Sequence, residues 1–133
     1  MSIPSWDNRT IAERLIAEET RVGKGATVKV HATFRVCEKL RRSLSSLVGS
    51  GGFHSVMARA LSLATSEVPW LSEVQVKPDG SLEIQAEIKD QAESVEGGTA
   101  LVAHLLGLLA TFIGEALTLR LVQNVWPKLA LKN

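Results

Sequence analysis

The sequence predicts a mainly α protein: a four-helix bundle-like single domain spanning residues 1–133, with one β-hairpin at about 73–88 packed on its side. Three observations carry this. Long segments repeat apolar residues at steps of three and four. One segment, LVAHLLGLLATFIGEALTLRLV at 101–122, is almost wholly apolar. Alternation at a period of two is concentrated around Pro78-Asp79-Gly80. A chain of 133 residues can bury a real core, and its 45% hydrophobic and 22% charged content argues against disorder of the whole chain. A net charge of +1 gives no global pull toward nucleic acid or an acidic membrane, so both are disfavoured as partners.

The first helix is expected over 6–20. Ser5 or Asp7 can cap it, Thr10 and Glu13 have capping-box spacing, and Ile11, Leu15 and Glu18 share a face with Ala12 and Ile16 beside it. Gly23-Lys24-Gly25 ends it. Residues 26–34, ATVKVHATF, carry two patterns, strand alternation and the start of a helical stripe. The stripe is longer, running through Val30, Phe34, Cys37, Leu40, Leu44, Leu47 and Val48, and it favours a second helix over 30–48. Gly49-Ser50-Gly51-Gly52 reads as a turn. A third helix over 53–66 then presents Phe53, Val56, Met57, Ala60, Leu61 and Ala64, and Pro69 ends it. Val74 and Val76, then Leu82, Ile84, Ala86 and Ile88, supply the hairpin, and 89–98 reads as an acidic linker.

The last helix is expected to run unbroken over 98–126 and to stop before Pro127. It is long enough to cross a bilayer. Glu115 near its middle, Gly107 and Gly114 within it, and amphipathic helices that need an apolar partner all favour a buried soluble helix instead. Its wheel gathers His104, Thr111, Glu115 and Thr118 into one polar stripe, a pocket or a solvated edge. Ala103, Gly107, Ala110 and Gly114 form a row of small residues suited to close helix approach and self-association.

Other candidate sites are sparse. Arg35, Lys39 and Arg42 share a face that suits an acidic protein or phosphates, or that attracts the acidic stretch 67–96 within the fold. Ser50, Gly51, Gly52 and His54 place a glycine-rich turn at a helix start, where amides can hold an anion; no P-loop signature follows. Trp70 and Trp126 stand at element ends beside Pro69 and Pro127, placed to seal a core edge. Cys37, the single cysteine, lies on an apolar stripe, and the histidines show no ligand spacing; neither a metal nor a cofactor is expected. One cysteine forms no intrachain disulfide, and MSIPSWDNRTIAERL has no signal-type apolar run, so a cytoplasmic location is expected. The chain has the look of a short bacterial protein.

These features point to a non-enzymatic interaction or regulatory module that forms a homo-oligomer or binds a protein partner. The alternative is a small-molecule-binding helical domain with its pocket near Thr111, Glu115 and the 49–54 turn. An enzyme using Glu115 or His104 is the least favoured reading.

Overall fold

The structure, a computed structural model, describes residues 7–22, 28–84 and 91–129, with side chains at 7–21, 32–83 and 96–129. The expectations for Ser5, for Ala26 and Thr27, and for the hairpin beyond Ile84 fall outside the described residues. Among the described residues, four helices and a small two-stranded antiparallel sheet make the protein mostly helical.

Helix α1 spans Asn8–Val22. Asp7 caps it: Oδ1 accepts the amides of Arg9 (3.1 Å) and Thr10 (3.4 Å), and Oδ2 accepts the Thr10 hydroxyl at 2.7 Å. Its buried stripe is Ile11, Ala12, Leu15, Ile16 and Glu19. The acid on the stripe is thus Glu19, one residue beyond the one expected.

Helix α2 spans Val28–Glu67 as two helical arms joined at a kink, so both expected helices are present and the expected four-residue turn is reduced to one residue. Only Gly49 leaves helical torsions, at φ 79° and ψ 160°, where glycine avoids the Cβ clash; Ser50, Gly51 and Gly52 continue as helix. Residues 28–34 are helical, so the longer stripe prevailed over the local alternation. The core positions are Ala32, Val36, Cys37, Leu40 and Leu44 before the kink, and Phe53, Met57, Ala60 and Ala64 after it. Leu47, expected on the stripe, lies against the kink and is 58% exposed.

A 3-10 turn, Pro69–Glu73, leads into strands β1 (Val74–Val76) and β2 (Leu82–Ile84), paired Val74↔Ile84, Gln75↔Glu83 and Val76↔Leu82. Gly80 takes φ +89° at the tip, and a Cβ there would stand 2.6 Å from the Phe53 ring. The hairpin tip therefore rests on α2 just after its kink. Such a short hairpin is marginal alone and needs that support.

Helix α3 (Gln91–Ile113) and helix α4 (Glu115–Val125) replace the single unbroken helix. Gly114 separates them at φ 94° and ψ 151°. Helix α3 also begins seven residues early, inside the expected linker. It buries Ala100, Leu101, Val102, Leu105, Leu106 and Leu109 and packs against both α1 and α2. The approach to α2 is close at Gly98, where a Cβ would lie 2.1 Å from Thr33 Oγ1. Glu96–Ile113 is long and apolar enough to cross a membrane, with mean hydropathy 1.5, yet 50% of that window is buried within the fold.

Candidate functional site

Glu19 is the one charged residue among the described residues that is buried, at 2% exposure. Its position follows from periodicity: Ile11, Leu15 and Glu19 step by four along α1, so the carboxylate enters the core with the leucines. Arg35 and Lys39, four apart on α2, meet it there. Arg35 Nε donates to Glu19 Oε1 at 3.1 Å, and Arg35 Nη2 donates to the Glu19 carbonyl at 2.7 Å. Lys39 Nζ and Trp126 Nε1 both donate to Oε2, the indole at 2.9 Å. The lysine ammonium also lies 5.9 Å from the centre of the Trp126 ring. Burial alone would raise the Glu19 pKa, but hydrogen bonds from Lys39, Trp126 and Arg35 outweigh it and hold the group below its ordinary value of 4.5. The centre thus joins α1, α2 and the end of α4 through one ionised carboxylate. A groove of about 170 Å³ opens beside it, lined by Glu18, Lys39 and Val125–Leu129.

The proposed basic face is therefore divided. Arg35 and Lys39 turn toward Glu19, not toward the 67–96 stretch, while Arg42 reaches Glu38 at 3.3 Å on its own helix. The basic and acidic segments meet instead through Arg41 and Asp79, 4.0 Å apart.

The polar stripe is broken by Gly114. His104 Nε2 lies 2.5 Å from Glu67 Oε2, Thr111 donates to the Gly107 carbonyl at 3.0 Å, and Glu115 sits exposed in the first turn of α4. A helical wheel drawn through 104–118 loses its meaning once the torsions at Gly114 change. Thr118, expected on that stripe, is buried and donates to the Gly114 carbonyl at 2.8 Å.

The small-residue row is partly covered by the chain itself. A Cβ on Gly107 would lie 2.9 Å from Asn8 Nδ2, so the start of α1 occupies that position. Ala103 and Ala110 are half-buried, and Gly114 is exposed.

Nor do Ser50, Gly51 and Gly52 form a loop, since they lie within helix; the His54 Nδ1–H donates to the Lys77 carbonyl at 2.7 Å and ties the hairpin to α2. Trp70 packs against Gly97, whose Cβ would stand 2.7 Å from the indole.

Two further hollows are present. One of about 370 Å³ lies between α2 and the hairpin and is lined by Phe34, Arg35, Cys37, Glu38 and Gly80–Leu82. Burial, and then the neighbouring Glu38 charge, push the Cys37 thiol up to about 12, so it offers no thiolate at neutral pH. The other, an open cleft of about 500 Å³, lies among Asp7–Arg9, Glu67, Ala100, Ala103 and His104. Neither these hollows nor the groove at Glu19 is lined by Thr111, Glu115 or the 49–54 segment. Among the described residues, no group of three or more His, Cys, Asp or Glu is placed to hold a metal ion.

The remaining feature is apolar and exposed. Phe112 is 63% exposed and Leu117 39% exposed, on either side of the break at Gly114. Thr111, Gly114, Glu115 and Ala116 are exposed with them. No family model, curated protein or solved structure matches the chain.

Sequence reasoning missed Glu19 and Phe112. Glu19 carried a readable signal, since it continues the i, i+4 apolar stripe of α1 at Ile11 and Leu15. Phe112 carried none, because the nearly all-apolar stretch around it does not mark which side chain stays uncovered.

Proposed function

We propose that this chain is a non-enzymatic interaction module that self-associates or binds a protein partner through the α3–α4 corner. The exposure of Phe112 carries the reading. The protein has three phenylalanines, and this one stands in solvent at the end of a helix whose earlier turns fill the core. Aromatic side chains set in an apolar patch are favoured anchors of protein interfaces. Leu117 extends the patch. In this reading the protein works in the cytoplasm, and Glu96–Ile113 is covered by its own chain and its partners, not by lipid.

Molar mass by light scattering after size exclusion, without detergent, tests the proposal. A dimer that Phe112→Glu dissociates while the helical circular-dichroism signal stays intact supports it. A monomer at all concentrations that yields no Phe112-dependent partner in crosslinking refutes it.

A small-molecule reading moves from its expected position to the cleft at His104, whose volume suits a compact ligand. Fragment-induced chemical-shift changes clustered at Ala100, Ala103 and His104 would favour that alternative.

A further inference from the structure

We infer that α4 is an exchangeable arm, and that the surface it covers on α1, α2 and α3 accepts α4 from a second copy of this chain. The inference rests on self-association as proposed above but assigns it to the seat of α4 in place of the exposed corner.

The hinge is a single residue. Helix lies on both sides of Gly114, which alone departs from helical torsions, at φ 94° and ψ 151°. These torsions belong to a region that essentially only glycine occupies. A Cβ at this position would meet nothing within 4 Å, so the torsions themselves, and not a lack of space, select glycine here. With Gly114 turned to helical torsions, residues 91–125 become one continuous helix, the form the sequence pattern itself predicts. The intrinsic cost is glycine's modest helix penalty.

The arm's fully buried groups are few, with Leu121 and Val125 packed half-buried beside them. Thr118, Val122 and Trp126, spaced by four, are its buried stripe. Its far end is fastened by the Trp126 indole to Glu19, a contact between residues 107 apart in sequence. Once α4 swings out, that stripe and its seat beside Glu19 are both bared. A second copy straightened at the same hinge offers the matching halves: an indole N–H for Glu19 and an apolar stripe for the vacated core face. Reciprocal exchange rebuilds every contact of α4 across a closed twofold pair and adds no new chemistry. No other occupant needs to be supposed, because the seat is already shaped to this helix.

Gly114→Ala tests the hinge. Alanine is disfavoured at φ 94° and favoured in a continuous helix, so the dimerisation constant should rise by at least about thirtyfold. Isotope-filtered spectra of a half-labelled mixture should then place the Trp126 indole against α1 of the other chain. Wild-type protein refolded at high concentration gives the same readout without a substitution, should the variant fail to fold. A dimer in which Trp126 meets only its own α1, or wild-type and any folded variant that remain monomeric, overturns the exchange. Phe112→Glu separates the two proposals: it breaks a corner-to-corner dimer and leaves arm exchange intact.

Discussion

Glu19→Gln should destabilise the protein by about 2–3 kcal/mol at neutral pH. The magnitude follows from what the carboxylate serves. Glutamine keeps one acceptor oxygen and turns the other into an NH2 donor, so at least one of the donors that met the carboxylate, Trp126 N–H or the cations, faces another donor, and an unsatisfied buried donor costs about 1–3 kcal/mol. Arg35 and Lys39 have side chains 37% and 43% exposed, so water takes over much of their solvation. Each of those pairs is therefore worth about 0–1 kcal/mol, not the larger figure of a fully buried ion pair. Removing a desolvated charge returns part of the total. At about 2.1 cal/mol/K per residue, the melting temperature should fall by about 7–11 °C.

Urea unfolding at pH 7 and at pH 3 supplies the decisive comparison. Because the folded pKa of Glu19 is held below 4.5, its stabilisation is complete above that value and is lost as pH falls through the folded pKa. Glutamine does not titrate, so the gap between wild type and variant should close on acidification. Asp7, Glu38 and Asp79 also have lowered pKa values, and their losses cancel in the difference. A gap of the same size at both pH values, or none at pH 7, would refute the argument.

Three further predictions concern charge and packing. Arg35→Gln with Lys39→Gln should cost about 1–2 kcal/mol in urea unfolding because both residues serve Glu19, whereas Arg42→Gln should stay within about 0.5 kcal/mol. Equal effects would show that the three cations form one surface. Gly98→Ala should cost about 1–3 kcal/mol, since its methyl would meet Thr33 Oγ1 at 2.1 Å, and Thr33→Ala in the same chain should restore much of the loss. Thr33→Val alone should leave stability unchanged or raise it by about 1 kcal/mol, because the buried Thr33 hydroxyl has no hydrogen-bond partner.

The sequence shows its helices more readily than their breaks, and the reason is physical. Stripes such as Ile11–Ala12–Leu15–Ile16 and Val36–Cys37–Leu40–Leu44 are repeated over several turns, so many residues report the same face. The hairpin turn was legible for a similar reason. Asp79 Oδ1 accepts the Ser81 amide at 2.9 Å, and Gly80 alone meets the positive φ required beside it. A kink is encoded by one residue. Gly49 and Gly114 both take positive φ, while Gly51, Gly97, Gly98 and Gly107 sit in helix. Composition does not separate these groups, since every glycine permits the bend and only packing selects where it occurs.

That distinction governs the candidate sites as well. The Arg35, Lys39 and Arg42 face was read from one helix, where the three cations belong together. Their division depends on Glu19 and Trp126, at sequence distances of 16 and 107 residues from the atoms they meet. The polar stripe through His104, Thr111, Glu115 and Thr118 failed at Gly114, which lies between Thr111 and Glu115. A wheel assumes uniform torsions, so one glycine at φ 94° moves everything after it to a new face. The same rotation places Phe112 and Leu117 at one exposed corner and brings Trp126 to Glu19. Exposed corner and buried charge centre are thus both tied to the turn at Gly114, and a substitution that straightens the helix there should remove the corner and part Trp126 from the Glu19 of its own chain.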